Sequence, residues 1–199
     1  MRIIDPDKHA ACRLEILAAA RDCFARQGFH QTSTAEICAR AGISSGKLFH
    51  YYPTKKAIIA ALVEAEGNEV LAYFQQARQR QSAYQEIRCF LGVVADLAAD
   101  PAYVGLALEI SAEAGRDAEI KALVAINDRA LRRELATLIT AAIRHGEIKV
   151  GFPAEAVADA LVILIDGLFN RAAVDPGFDP ICHLPLLLAM SDGVLQRLS

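Results

Sequence analysis

Side chains that can donate hydrogen bonds or carry positive charge are concentrated between residues 44 and 55 of this 199-residue chain. Ser44, Ser45, Lys47, His50 and Tyr51 belong to this group, and none of them is acidic. A lysine ammonium can donate to O6 and N7 of guanine, and hydroxyl and ammonium groups also bind phosphate oxygens. The chemistry that this segment predicts is contact with a nucleic acid.

Two short helices would have to position these side chains. Ser33 and Glu36 form a Ser-x-x-Glu capping box, which predicts the start of the first helix. Gly42 can adopt the positive φ of a tight turn, Ser44 is a favourable N-cap for the second helix, and Pro53 predicts its end. Two short helices joined in this way form a helix-turn-helix, whose second helix enters the major groove of DNA.

The segment resembles the TetR family of bacterial transcriptional regulators over roughly residues 9–62. The family pattern is Gly-Phe, then a Thr shortly before I-A-x-x-A-G-V-S, then G-x-L-Y-x-Y-F with a lysine at the start of the next helix. The matching segments here are Gly28-Phe29, Thr34–Ser44, Gly46–Tyr52 and Lys55. The chain departs from the pattern at Cys38 (usually Ala), Phe49 (commonly Tyr) and Tyr52 (usually Phe). The resemblance implies an all-α regulator that binds operator DNA.

Eight residues are assigned to DNA contact from the capping pattern and from the resemblance, which implies that positions 50 and 51 face the DNA. They are Ser33, Thr34, Ser44, Ser45, Lys47, His50, Tyr51 and Lys55. Two readings of Lys47 stay open, a contact to a guanine base and a contact to a phosphate. Ser33 could cap its helix only, or cap it and also bind a phosphate.

The remaining sequence also predicts helices, because Gly and Pro fall in a few clusters and no segment alternates with period two. Beside the helix-turn-helix, helices are expected over residues 8–27, 54–81, 84–98, 101–114, 117–145, 153–173 and 181–198. The total of nine helices without strands matches the TetR-like architecture. We expect residues 1–56 to form the DNA-binding domain and residues 57–199 to form the ligand-binding and dimerisation domain.

The charge distribution agrees with that division. Residues 1–56 carry nine Lys and Arg against five Asp and Glu, whereas the remainder carries twelve against nineteen. A basic segment on an acidic body favours a protein that presents one end to phosphates, although so small an excess can also arise by chance. The polar start has no apolar stretch typical of a secretion signal, and no apolar run is long enough for a membrane span. These features favour the cytoplasm.

The helices expected at 153–173 and 181–198 are apolar around most of their circumference, which indicates burial on several sides. By resemblance they pair with their symmetry mates in a homodimer. The residues assigned to the dimer interface are Leu161, Ile165, Leu168, Leu187 and Met190. The alternative is that the two helices bury each other within one chain.

A small-molecule effector is implied by the resemblance, with its pocket between residues 84 and 173. Five side chains could meet it, since each brings a polar group to a mostly apolar helix face: Tyr103, Glu109, Asn127, Asp166 and Asn170. Glu109 together with Glu113 would suit a cationic ligand. Each of these residues could equally be a solvated edge residue, a core polar group or a dimer contact.

Enzyme motifs such as HExxH, the P-loop, GxGxxG and GxSxG are absent from the sequence. The five cysteines are scattered without a CxxC pair, and the five histidines show no metal-ligand spacing, so we expect no cofactor and no metal. Buried structural cysteines are favoured over a redox sensor. The rival functions are a helical ligand carrier that has lost DNA binding and an enzyme with a site inside a helical bundle.

Overall fold

The computed structural model describes residues 6–77 and 82–196. Within these ranges the chain forms nine α-helices and no strand, which confirms the predicted all-α fold. The helices are α1 (Pro6–Gln31), α2 (Thr34–Ala41), α3 (Ser45–Tyr51), α4 (Lys55–Ala77), α5 (Ala83–Ala98), α6 (Pro101–Ala114), α7 (Ala118–Arg144), α8 (Ala154–Val174) and α9 (Pro180–Leu195). The predicted ends of the fourth helix at 81 and of the last helix at 198 lie outside the described residues.

The described residues form two compact units. Unit 1 contains the residues up to Glu66 together with Gly105–Val124, and unit 2 contains Gly67–Val104 and the residues from Ala125 onward. The division falls inside α4, and α6 and α7 also contribute residues to both units. The segment Gly105–Val124 therefore packs with the helix-turn-helix, although the sequence placed it in the second domain. The functional division at residue 56 stays a prediction.

Unit 1 is built around the inward faces of α1, α2, α3 and α4. Its fully buried side chains include Ile16, Phe24, Phe29, Ile37, Leu48, Ile58 and Leu62. The rings of Phe24 and Phe29 meet edge to face, with their centroids 4.8 Å apart. Burial of large side chains of this kind contributes about 1.5–3 kcal/mol each. This core fixes the position of the short helix α3, which is too short to be stable alone.

Unit 2 has its own core, formed by residues of α4, α5, α7, α8 and α9. Four of the five residues assigned to the dimer interface belong to this core, namely Leu161, Ile165, Leu168 and Leu187. Leu161 and Ile165 are covered by this chain itself, so we withdraw them from the interface. Leu168 and Leu187 also line an open groove of unit 2, and their place in the interface stays a prediction. Met190 is 49% exposed and remains available to a partner.

Three of the cysteines, Cys12, Cys23 and Cys38, are buried, whereas Cys89 and Cys182 are exposed. Beside Cys182, the Asp179 carboxylate raises the pKa of the thiol. The reactive form of a cysteine is the thiolate, so this neighbour disfavours reaction at Cys182.

No single helix in the described ranges is long and apolar enough to cross a membrane, and α5 with α6 reaches the necessary length and apolar composition only as a bent pair.

Candidate nucleic-acid interface

The turn between α2 and α3 is fixed by local hydrogen bonds. The Ser33 hydroxyl accepts from the Glu36 backbone N–H (3.2 Å), and the Glu36 carboxylate accepts from the Ser33 N–H (2.7 Å), so the predicted capping box is present. The hydrogen bonds from Ser33 lower the pKa of Glu36. Gly42 adopts the left-handed conformation (φ 64°, ψ 34°), and the Ser44 hydroxyl accepts from the Lys47 N–H at 3.3 Å. These bonds set the direction of α3.

The outward face of α3 is defined by the buried side chain of Leu48, which has no exposed surface. Successive residues of a helix are rotated by about 100°. Gly46 and His50 therefore lie opposite Leu48, and Lys47 and Phe49 lie on the two flanks. Ser44, Ser45, Lys47 and His50 are all exposed, as the sequence predicted for residues that touch DNA. We define the α3 face as Gly46, Lys47, Phe49 and His50.

Phe49 is the residue of this face that sequence reasoning missed. Its side chain is 45% exposed on a helix whose other outward residues are polar or glycine. An aromatic ring on a helix in the major groove can contact the C5 methyl group of thymine. Its position one residue after the buried Leu48 was the signal that could have identified it, because that position lies on the flank of the outward face.

Tyr51 occupies a different environment from the α3 face. It is half-buried, its ring lies 4.6 Å from the ring of His9 on α1, and a hydrogen bond with Cys12 raises the pKa of its phenol. These contacts join α3 to α1. Tyr51 therefore helps to position the reading helix, and its contact with DNA stays a prediction.

Lys55 also has a structural role in this unit. Its ammonium donates to the backbone carbonyl oxygens of Phe29 (2.7 Å) and Thr32 (2.9 Å), at the end of α1. A cation is favourable at that end of a helix, where carbonyl groups lack partners and carry partial negative charge. A phosphate would have to compete with these carbonyl groups, so the assignment of Lys55 to a phosphate contact is revised.

Lys55→Met should lower the free energy of unfolding by about 1.5–3 kcal/mol, because it removes hydrogen bonds made by a charged donor to part-buried carbonyl groups. Urea unfolding measures the change. Lys56→Met is the matched control: its ammonium lies in exposed ion pairs with Asp117 and Glu119, both at 2.8 Å, and exposed pairs contribute little to stability. Unchanged stability of Lys55→Met, together with a smaller salt dependence of DNA binding, would restore the phosphate role.

Ser33 and Thr34 lie at the N-terminus of α2. Ser33 is exposed and Thr34 is half-buried, and the Ser33 hydroxyl is already engaged in the capping box. Backbone N–H groups in the first turn of a helix favour an anion. Capping is thus a role that Ser33 has in the structure, and a phosphate contact at this end of α2 stays a prediction.

Glu109 has a structural role instead of the predicted contact with a ligand. Its carboxylate accepts a hydrogen bond from the backbone N–H of Phe29 at 2.9 Å. A side chain at Gly28 would lie 2.8 Å from the same carboxylate, and Gly28 also has a positive φ of 75°, so both the space and the backbone require glycine. The nearby Glu113 lies 3.2 Å from the His30 imidazole. The Glu109 carboxylate holds the end of α1, which corrects its assignment to a ligand site. Glu113 Oε2 is buried without a hydrogen-bond partner among the described residues, and a ligand contact there stays a prediction.

The other four predicted ligand residues lie in unit 2. Tyr103 is half-buried, with its ring 5.8 Å from that of Phe169. The Asn127 amide packs so closely on Gly67 that a methyl group at Gly67 would overlap it. Asn127 thus has a packing role, and its contact with a ligand stays a prediction. Asp166 and Asn170 are exposed on α8.

Apolar side chains cover an exposed surface of α8 and α9. Ile163 is 69% exposed, Leu186 60% and Met190 49%, and together with Gly167 they border a groove of about 270 Å³. We call these four residues the α8–α9 face. Contiguous exposed apolar surface on a protein commonly marks an interaction site, and the glycine leaves room for the close approach of another helix.

These features define the class of protein as a helix-turn-helix DNA-binding protein: the capped α2, the left-handed turn and the exposed α3 face. The comparison with family models identifies the particular family. Residues 16–62 match the model of the bacterial regulatory proteins of the tetR family, and residues 88–182 match that of the BetI-type transcriptional repressor C-terminal domain. The chain belongs to the TetR family.

Individual relatives agree with this assignment. The regulator UidR of Escherichia coli is 39% identical over 64 residues, which is 32% of this chain and 33% of UidR. The chain therefore matches only about a third of that relative's length. The transcriptional repressor Rv1474c of Mycobacterium tuberculosis is 27% identical over 191 residues, 89% of each chain. The crystal structure of Bacillus subtilis FadR with stearoyl-CoA shares the fold, with a TM-score of 0.76 at 20% identity over 89% of this chain and 96% of that one.

Proposed function

We propose that this protein is a transcriptional regulator that binds double-stranded operator DNA as a homodimer and responds to a small-molecule effector. The α3 face carries the proposal, because it combines a cation, an imidazole, an exposed ring and a glycine on one side of a capped helix. Among the polar side chains, Lys47 is the one suited to guanine. The similarity to Rv1474c, which is named a repressor, supports repression as the outcome of binding.

The dimer would read a palindromic operator. A two-fold symmetric pair presents one α3 to each half-site, and the two half-sites then lie about 34–36 Å apart, or a multiple of that distance. The α8–α9 face supports the dimer, because Ile163, Leu186 and Met190 expose apolar surface that a second copy can cover. We place the protein in the cytoplasm, where a bacterial regulator meets its DNA.

The effector would bind the body of the protein between residues 84 and 173. FadR was crystallised with stearoyl-CoA, and that relative supports a ligand-binding role for the same fold here. A ligand changes DNA affinity only if it binds one conformation of the protein better than another. The helices α4, α6 and α7 each run through both units, so a change in unit 2 has a continuous helical route to unit 1.

A mobility-shift assay with DNA that flanks the protein's own gene tests the proposed function. The regulator should shift this duplex in the presence of excess random-sequence competitor. A ligand carrier or an enzyme would not shift the flanking duplex, or would shift it and a random-sequence duplex alike and only at low salt. Equal displacement by the specific and the random competitor would refute sequence recognition.

Phe49 offers a separate test of base reading. We expect one thymine in each half-site whose replacement by deoxyuridine weakens binding by the wild type, because only the C5 methyl group is removed. Against Phe49→Ala the same replacement should have no effect, since the ring that contacts the methyl group is gone. The measurement is a titration of four protein–DNA combinations. Equal effects of the deoxyuridine on both proteins would remove Phe49 from base reading.

A further inference from the structure

A second groove in unit 2, within the range 84–173 proposed above for the effector, has four arginines among its nine lining residues. It occupies about 510 Å³ between α7 and α8. Its charged lining consists of Arg129, Arg132, Arg133, Arg144, Glu155 and Asp159. The groove therefore has an excess of positive charge, although the chain as a whole carries a net charge of −3.

One of these arginines is held in place by carboxylates. Arg132 pairs with Asp128 at 2.8 Å and with Asp159 across the groove at 3.1 Å, so its orientation is fixed before any ligand arrives. Its Nε atom is buried without a hydrogen-bond partner among the described residues. A buried donor without an acceptor lowers the stability of the fold, and a ligand atom that accepts a hydrogen bond from Nε would remove this cost.

Three further arginines line the groove. Arg129, Arg133 and Arg144 are exposed, and in the part of the chain that the structure describes none of them forms an ion pair. Arg129 and Arg133 stand four residues apart on α7, and like charges at that spacing destabilise a helix. An anion between them would relieve this repulsion.

The neutral residues of the groove narrow the class of ligand. The Thr137 and Thr140 hydroxyls donate to the carbonyl oxygens of Arg133 and Ala136, both at 2.8 Å, so they face a ligand as acceptors only. The available donors are thus guanidinium groups. A guanidinium binds phosphate or carboxylate oxygens through two parallel N–H bonds.

We propose that the groove between α7 and α8 binds a small polyanion bearing at least two phosphate or carboxylate groups, with Arg129 and Arg133 as its principal ligands and Arg132 as the fixed donor. The volume falls within the range of about 300–1,000 Å³ typical of small-molecule sites. The site is distinct from the α3 face and from the α8–α9 face, which share no residue with it.

Isothermal titration calorimetry with inorganic pyrophosphate and with glutarate, at constant ionic strength, tests the proposal and distinguishes phosphate from carboxylate ligands. The wild type should bind at least one probe with one site per chain, and Arg129→Gln/Arg133→Gln should bind it at least tenfold more weakly. The matched control is Lys121→Gln/Lys149→Gln, which removes the same charge from exposed positions outside the groove and should bind like the wild type.

The helical circular dichroism, the sedimentation coefficient and the DNA affinity of each variant complete the design. The proposal predicts that all three are unchanged in Arg129→Gln/Arg133→Gln. Failure of the wild type to bind either probe, or equal weakening in both double variants, would overturn it. Dissociation of a dimer would assign the groove to a second copy, and loss of DNA affinity would assign it to DNA. Both results would refute the polyanion site while leaving the proposed function intact.

Discussion

Ile163→Glu/Leu186→Glu should convert the protein from a dimer into a folded monomer that has lost most of its operator affinity. Both side chains are largely exposed, so the fold of one chain tolerates the change, whereas a dimer would have to bury the carboxylates without partners. Linking two DNA-binding domains raises the affinity for DNA by about 10²–10⁴ over that of one domain alone. We therefore expect the operator affinity of the double variant to fall by roughly that factor.

Sedimentation velocity and a DNA titration measure the two effects. Ile126→Glu/Phe152→Glu is the matched control, since it places the same charges at exposed apolar positions outside the α8–α9 face. That control should remain a dimer. A wild type that sediments as a monomer at micromolar concentration, or a double variant that remains a dimer, would remove this face from the interface.

Lys47→Ala should weaken operator binding by about 1–3 kcal/mol for each half-site, if the ammonium donates to O6 and N7 of guanine. The loss should be confined to the operator, and the preference at one base pair of each half-site should relax. The comparison is between the affinities for the operator and for variants with each base pair replaced. Lys47→Arg should keep most of the preference, because a guanidinium can donate to the same two acceptors.

The phosphate reading of Lys47 predicts a different pattern. Binding would then weaken equally for every sequence, and the slope of log affinity against log salt would decrease by about one per subunit. That result would leave base reading to His50 and Phe49. Lys47 is exposed on the flank of the α3 face, and its backbone N–H is bonded to Ser44, so the substitution leaves the helix cap intact.

The helix-turn-helix could be predicted in detail because its determinants are local. The bonds between Ser33 and Glu36, the left-handed Gly42 and the Ser44 cap all join residues close in sequence. The same locality explains the nine predicted helices, which depend on periodicity and on stop signals such as Gly28.

The misassigned residues all depend on contacts between distant parts of the chain. Lys55 meets carbonyl groups 23 and 26 residues earlier in the sequence, and Glu109 meets an N–H group 80 residues away. No periodic pattern contains such pairings. Lys55, a basic residue at a helix start, therefore resembled a phosphate contact. Glu109, a carboxylate on an apolar helix, resembled a ligand contact.

Part of the dimer assignment was misplaced for a related reason. On a helix that is apolar nearly all round, the sequence cannot distinguish positions covered by the same chain from positions left for a partner. Leu161 and Ile165 are buried by their own chain, whereas Ile163, on the same helix, is exposed. Only the packing of α8 against its neighbours in unit 2 separates the two sets.

Selection of bound duplexes from a random-sequence library tests the central claim most directly. If two α3 faces read DNA as a symmetric pair, the enriched sequences will contain an inverted repeat whose half-site centres lie about 34–36 Å apart, or a multiple of this distance. Selection with Phe49→Ala should relax the preference for thymine at one position of each half-site. A library that remains unenriched after selection by the wild-type protein, or an enriched motif without two-fold symmetry, would contradict the account.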